Sequence, residues 1–203
     1  MHWLVTGITG CGKSRIMREV IIPAHRRAGR WVGVLDPLGG IWPANWTTTD
    51  PLAFVAAAKN SSRCVWVVDE YAQFTADYKT MKALEWIFTV GRNRGHLAYA
   101  LAQRLMMIPP NVRNQCSHAV VFNQQSTDLE DLAGLMNQPG IRAAATFPAG
   151  KALLVEPFTE PRPVVLFANV KRNHAHARPQ PTRRPAMPAT APPTAAPPPG
   201  ISP

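Results

Sequence analysis

Long apolar runs are missing from this chain. None approaches the roughly 18 uncharged residues that a bilayer-crossing helix needs, so no spanning segment is expected. Cysteine is scarce: Cys11, Cys64 and Cys116 are the only ones in 203 residues. Their number is odd and no spacing among them suits a zinc site or a disulfide framework, which fits a reducing compartment. Acidic residues are also few, 12 against 22 lysines and arginines, for a formal charge of +10. That balance points to an anionic partner, nucleic acid first and an acidic membrane surface second; plain solubility is the other reading. The opening "MHWLVTGITG" enters a strand at once and lacks the shape of a signal peptide.

From Asn173 to Pro203 acids and aromatics disappear, and Pro, Ala, Thr, Arg and His dominate. Such a segment has too little apolar surface to offset its ordering entropy, so a disordered tail with polyproline character is expected. Arg178, Arg183 and Arg184 make it basic: either a solubilising tail or a tether to nucleic acid, membrane or a partner. Residues 1–172 are of the size of one domain, and 46% of the whole chain is hydrophobic, enough for a core.

Within 1–172 strand and helix signals alternate. Apolar strands are read at His2–Thr6, Trp31–Asp36, Cys64–Asp69, Leu97–Ala102 and His118–Phe122. Helices are read at Lys13–Ala28, after the Asp50-Pro51 cap, at Thr80–Val90 with Met81, Leu84, Ile87 and Phe88 on one face, and from Thr127 with Ser126 as cap. Lys151–Glu156 and Val164–Val170 form a C-terminal antiparallel pair about the turn "PFTEPRP". Apolar strands alternating with helices predict an α/β domain with a largely parallel sheet covered on both faces.

"GITGCGKS", Gly7 to Ser14, matches G-x-x-x-x-G-K-[ST] in full, after a strand and before a helix, where that motif belongs. Glycines let backbone N–H groups face phosphate oxygens, and the helix start adds a favourable field. Gly7, Thr9, Gly10, Cys11, Gly12, Lys13, Ser14 and Arg15 are therefore the expected nucleotide contacts. Lys13 reaches the β- and γ-phosphates and Ser14 ligates Mg²⁺. The strand of "CVWVVDEYAQF" ends in two carboxylates at the edge where open α/β sheets bind ligands. Asp69 is the second Mg²⁺ residue, and Glu70 the group that polarises an attacking water. An adjacent glutamate favours ATP hydrolysis over transfer to a small acceptor.

The order of the phosphate loop, "VLDPLGG", "VDEYAQF", "GRNRGHLAYALAQR" and "IPPNVRNQCSHAVVF" resembles the HerA/FtsK superfamily of DNA-pumping ATPases. Within it, the compact layout is most similar to genome-packaging ATPases of tectiviruses and related tailless, membrane-containing phages. The resemblance spans roughly Met1 to Met136; Cys11 departs from the Ser, Thr or Ala commonly found there, and the large N-terminal domain of cellular translocases has no counterpart. It implies a RecA-like core of the ASCE class with sheet order 5-1-4-3-2. It implies that Gln103 lies beside the γ-phosphate as a sensor, and that Arg92 or Arg94 acts as an arginine finger on a neighbour's ATP; Arg104 and Arg113 are further candidates. It further implies a homo-oligomeric ring, a hexamer by family expectation, that moves double-stranded DNA into a preformed capsid. Capsid-vertex or portal-vertex proteins and an inner viral membrane are the implied partners, and the host cytoplasm or the virion's packaging vertex the location. Pore contacts are sought at Lys79, Lys82 and Arg142, each equally readable as a solvated charge. Trp42 and Trp46 are either a lid or interface, or local packing. The alternative function is that of a Zot-like ATPase for filamentous phage extrusion, although such proteins usually carry a membrane span.

Overall fold

The computed structural model describes residues 1–166. The expected tail, 173–203, and residues 167–170 of the expected last strand lie outside the described residues. Strand β1 (His2–Thr6) leads through the glycine-rich loop into α1 (Lys13–Ile16), which continues through a π-helical turn, Met17–Ile21, into α2 (Ile22–Arg27). Pro23 accounts for the wide turn. Its ring has no N–H to donate and crowds the carbonyl four residues earlier, that of Glu19; the longer π repeat separates them.

There follow β2 (Val32–Leu35), β3 (Trp46–Thr48), α3 (Pro51–Lys59), β4 (Val65–Val68), α4 (Tyr78–Thr89), β5 (Leu97–Ala102), α5 (Pro110–Arg113), β6 (His118–Val121), α6 (Ser126–Met136), β7 (Lys151–Val155) and β8 (Arg162–Val165). All eight strands form one sheet of order β3-β2-β4-β5-β1-β6-β7-β8. The expected 5-1-4-3-2 core is the run β6-β1-β5-β4-β2, all parallel. The full order differs from the expectation by one outer strand, β3, parallel to β2. Its three residues carry no periodic signal. It pairs through Gly33↔Trp46, at a position where an added Cβ would meet the Trp66 ring at 2.6 Å. The β7–β8 pair is antiparallel, as expected, and β7 joins the same sheet through β6.

Alternation along β5 sorts its side chains between the two faces. Ala98, Ala100 and Ala102 lie on one, beneath the bulky Trp66, Tyr71 and Phe88 together with Phe54 of α3 and Leu129 and Leu132 of α6. Leu97, Tyr99 and Leu101 lie on the other with Ile16, Met17 and Ile22 of the first helix. Two helix starts come earlier than expected. Asp77 caps α4, accepting from the Thr80 amide at 2.9 Å, so the helix begins at Tyr78. Ser126 is the first residue of α6 rather than its cap; Gln125 precedes it in an extended conformation and makes no side-chain cap bond. Asp50 caps α3 as expected, accepting from Leu52 and Ala53.

Candidate functional site

The C-terminal ends of β1, β2, β4 and β5 meet at one edge, with the glycine-rich loop above β1. Gly7, Gly10 and Gly12 have φ of 151°, 79° and 119°, conformations that cost L-residues energy and suit glycine. At Gly7 there is no room either: a Cβ would stand 2.6 Å from that of Phe122. The loop is tied to the strand beyond, the Ile8 amide donating to the Asn123 carbonyl at 2.9 Å. Cys11 is buried among apolar residues and its carbonyl accepts from the Gly150 amide at 3.0 Å. It packs the loop onto the domain, and burial raises its thiol pKa. Thr9, Gly10 and Arg15 are exposed, Arg15 pairing with Glu19 at 2.8 Å.

Lys13 is buried, and its ammonium donates to the Gly7 and Ile8 carbonyls at 2.8 and 3.2 Å. The Ser14 hydroxyl donates to both Asp69 oxygens at 3.3 Å. Burial, then the nearby Glu70 and Asp36 carboxylates, raise the Asp69 pKa to about 6. This arrangement fits Mg²⁺. A hydroxyl and a carboxylate converge, both hard oxygen donors, and Mg²⁺ takes one or two carboxylates with substrate phosphates and waters making up the rest. Among the described residues no group of three His, Cys, Asp or Glu forms an all-protein cage.

Glu70 follows directly, in the left-handed region at φ 46°, ψ 56°. A non-glycine residue there stores about 1–2 kcal/mol. The Gln103 amide, at the tip of β5, donates to Glu70 Oε2 at 3.4 Å. β5 lies between β1 and β4, as the resemblance implies, so Gln103 stands between the strand that starts the phosphate loop and the strand that carries the carboxylates.

Arg92 and Arg94 are not part of this cluster. They are exposed on a 3₁₀ turn, Gly91–Arg94, before β5. The six residues of β5 put them about 20 Å from Gln103, at the opposite edge of the sheet. Arg92 lies close enough to His2 and the N-terminal amine to depress both pKa values, after burial. Arg104 is engaged in its own subunit, pairing with the fully buried Asp128 at 3.0 Å, and Arg113 donates to the Met106 sulfur. Lys82 pairs with Glu85 at 2.8 Å, and Arg142 with Glu130 at 2.6 Å. Trp42 and Trp46 pack locally: Trp42 donates to Asp36 at 2.8 Å, and Trp46 stacks near Phe54.

Two contributors carry no motif that assigns them. Asp36, at the end of β2, accepts from the Leu38 and Gly40 amides and the Trp42 indole at 2.8–2.9 Å, fixing the following loop. Burial alone would raise its pKa, but these hydrogen bonds hold it below the ordinary value. "VLDPLGG" contains the signal, an aspartate ending an apolar strand. Asp128 has no local signal, since its partner Arg104 comes from another element.

No protein-family model matches the sequence, and a search of curated proteins finds no match. Solved structures do match. The genome-packaging NTPase B204 of Sulfolobus turreted icosahedral virus 2, in complex with ATP-gammaS, is 16% identical with a TM-score of 0.65, over 82% of this chain and 96% of that one. The DNA-packaging ATPase B204 of Sulfolobus turreted icosahedral virus is 15% identical with a TM-score of 0.61, over 76% and 91%. VirB4 of Thermoanaerobacter pseudethanolicus is 12% identical with a TM-score of 0.61, over 82% and 89%. At these identities the likeness is one of fold: this chain shares the α/β fold of the B204 packaging NTPases and of VirB4.

Proposed function

We propose that this chain is an ATP-hydrolysing motor that translocates double-stranded DNA and loads a viral genome into a preformed capsid. The observation that carries the reading is the convergence of Lys13, Ser14, Asp69, Glu70 and Gln103 at one sheet edge, with Ser14 3.3 Å from Asp69 and Gln103 3.4 Å from Glu70. In this reading the loop amides from Gly7 to Ser14, with Thr9, Cys11 and Arg15 beside them, cradle the polyphosphate. Lys13 exchanges its loop carbonyls for β- and γ-phosphate oxygens. Ser14 and Asp69 would hold Mg²⁺, which when bound would supply positive charge against that developing on the phosphate oxygens. Glu70 orients and polarises the attacking water. Gln103 both donates and accepts, so it senses whether phosphate or water stands before it and passes that difference into β5.

Arg92 and Arg94 lie too far from their own subunit's site to touch its nucleotide. They suit a neighbour's, where an arginine supplied in trans accelerates phosphoryl transfer by about 10³ to 10⁵. One edge of the sheet carries Asp36, Asp69 and Glu70, the other Arg92 and Arg94. Two copies would meet edge to edge in a head-to-tail contact, which generates a closed ring when the rotation closes; a hexamer is the state we assign. The genome-packaging activity of the B204 proteins supports the packaging role. We extend it to a capsid or portal vertex as partner, with contact to an inner viral membrane, and to assembly in the host cytoplasm.

The test is phosphate release from ATP with and without duplex DNA, followed by mixing Arg92→Ala with Lys13→Ala subunits. Duplex should stimulate turnover, and mixed rings should regain part of the activity that each variant lacks. Turnover indifferent to duplex would remove the DNA motor, and absence of rescue would remove Arg92 as the finger.

A further inference from the structure

At the edge opposite the phosphate loop, beyond the starts of β2 and β3, lies an open pocket of about 600 Å³ whose wall includes Arg26, Arg27, Arg30, Trp31, Pro43 and Asn45. No carboxylate lines it, and among the described residues none of the three arginines forms an ion pair. Three other exposed cations differ from them. Lys82, Arg142 and Arg162 each have a carboxylate within 2.8 Å.

A basic helix end is ordinarily explained by the macrodipole and by free terminal carbonyls. Here those carbonyls are served by the backbone. Gly29, at φ 72°, donates to Arg26, and Arg30 to His25, both at 3.0 Å, closing the helix as a Schellman turn. The arginine side chains are therefore not needed as caps. The walls are also fixed. Arg26 Nη1 donates to the Pro43 carbonyl at 3.1 Å, and Asn45 exchanges two 3.0 Å bonds with Val32, one through its side chain and one through its amide. Three like charges are thus gathered about one built concavity, which disfavours the empty arrangement and favours an anion within it.

The cations continue along the same edge. Arg63 precedes the next strand, β4, which stands about 4.8 Å from β2. The Arg63 amide donates to the Arg94 carbonyl at 3.0 Å, and Arg63 is held at φ 56° beside it. A row that starts in a pocket beside β2 and β3 and reaches the start of β4 suits a polyanion better than a single small ion. An acidic membrane fits less well, because none of the large exposed apolar side chains lines the pocket to insert among lipids.

We infer that this pocket and row are a binding surface for the phosphodiester backbone of duplex DNA, with Arg26, Arg27 and Arg30 as its primary phosphate contacts. The choice of DNA rests on the proposed motor function, whereas the polyanion chemistry rests on the geometry. The surface reads no bases; it tracks phosphates, and Lys82 and Arg142, with their charges already matched, contribute little.

The experiment is fluorescence anisotropy of a labelled mixed-sequence duplex against the full chain, without nucleotide, across a range of salt. The variant Arg26→Ala/Arg27→Ala/Arg30→Ala should weaken binding by about tenfold or more at low salt. It should flatten the plot of log affinity against log salt by about 2–3, near 0.9 for each lost phosphate contact. Lys82→Ala/Arg142→Ala should leave that slope unchanged. An unchanged affinity and slope in the triple variant would overturn the inference while leaving the ATPase reading intact. Loss of DNA binding in a protein that hydrolyses no ATP would sustain the inference and overturn the motor. Absence of duplex binding in the wild type, with arginine-dependent binding to phosphatidylserine vesicles, would overturn it in favour of a membrane surface.

Discussion

Replacing Glu70 with glycine should stabilise the protein relative to replacing it with alanine, the reverse of the usual order. The reason is its left-handed backbone, φ 46° and ψ 56°. Any residue with a Cβ pays about 1–2 kcal/mol there. Glycine escapes that strain but loses more conformational entropy on folding, about 0.5–1 kcal/mol relative to alanine. The difference leaves Glu70→Gly more stable than Glu70→Ala by about 1 kcal/mol, or about 2–4 °C in Tm for a domain of this size. Both variants remove the same carboxylate and its repulsion of Asp69, so that effect cancels in the comparison. Both should also lose ATP turnover. Chemical denaturation and thermal melts of the two purified variants read the difference. An alanine variant equal to or more stable than the glycine variant would refute the strain at Glu70. It would remove the picture of a carboxylate held in place at an energetic cost that the rest of the fold offsets.

Burial lowers the pKa of His2 from 6.5 to about 4, so the unfolded chain binds its proton first. Its contribution to stability is present above about pH 6.5 and falls by about 3 kcal/mol as the pH drops to 4. Asp69, raised to about 6, titrates in the opposite sense. The readout is therefore the stability difference between wild type and His2→Gln, which should shrink from pH 7 to pH 4; a constant difference would show that His2 is not held neutral. Lys13→Ala should abolish ATP binding in a fluorescence titration while lowering stability by only about 1 kcal/mol, since its two carbonyl acceptors can be hydrated; retained binding would unseat Lys13 as a phosphate ligand. Asp128→Ala removes the buried partner of Arg104, itself half exposed. It should cost about 1–3 kcal/mol in denaturation and slow turnover through the adjoining Gln103, with no change in either measurement counting against the tether.

Local pattern carried most of the scaffold into view. The apolar runs His2–Thr6 and Leu97–Ala102 coincide with β1 and β5 because both strands are buried on both faces and bounded by abrupt polarity changes. The phosphate loop was legible because glycines at fixed spacing report backbone dihedrals directly. Asp69 and Glu70 were legible as candidates because they end an apolar strand at the ligand edge, and Gln103 through what the family resemblance implies for the tip of β5. What stayed hidden depends on partners distant in sequence. β3 exists because Gly33 leaves space between tryptophans, and Asp128 is buried because Arg104 arrives from beyond β5. The left-handed Glu70 has no signature, since glutamate rarely adopts that conformation. The pairing of Lys82 and Arg142 with carboxylates likewise shows only in three dimensions, as does the lack of any such pairing, among the described residues, at the arginines beside β2.

The most direct test of the central claim compares wild type with Glu70→Gln in one pair of assays, ATP occupancy and phosphate release, with Mg²⁺ and duplex DNA present. Wild type should bind and hydrolyse ATP. Glu70→Gln should bind ATP as tightly and release at least about 100-fold less phosphate, the share of the barrier that a positioned general base commonly supplies. Equal turnover by the two proteins would contradict the assignment of Glu70 to the attacking water, and the absence of ATP hydrolysis by wild type would contradict the account as a whole.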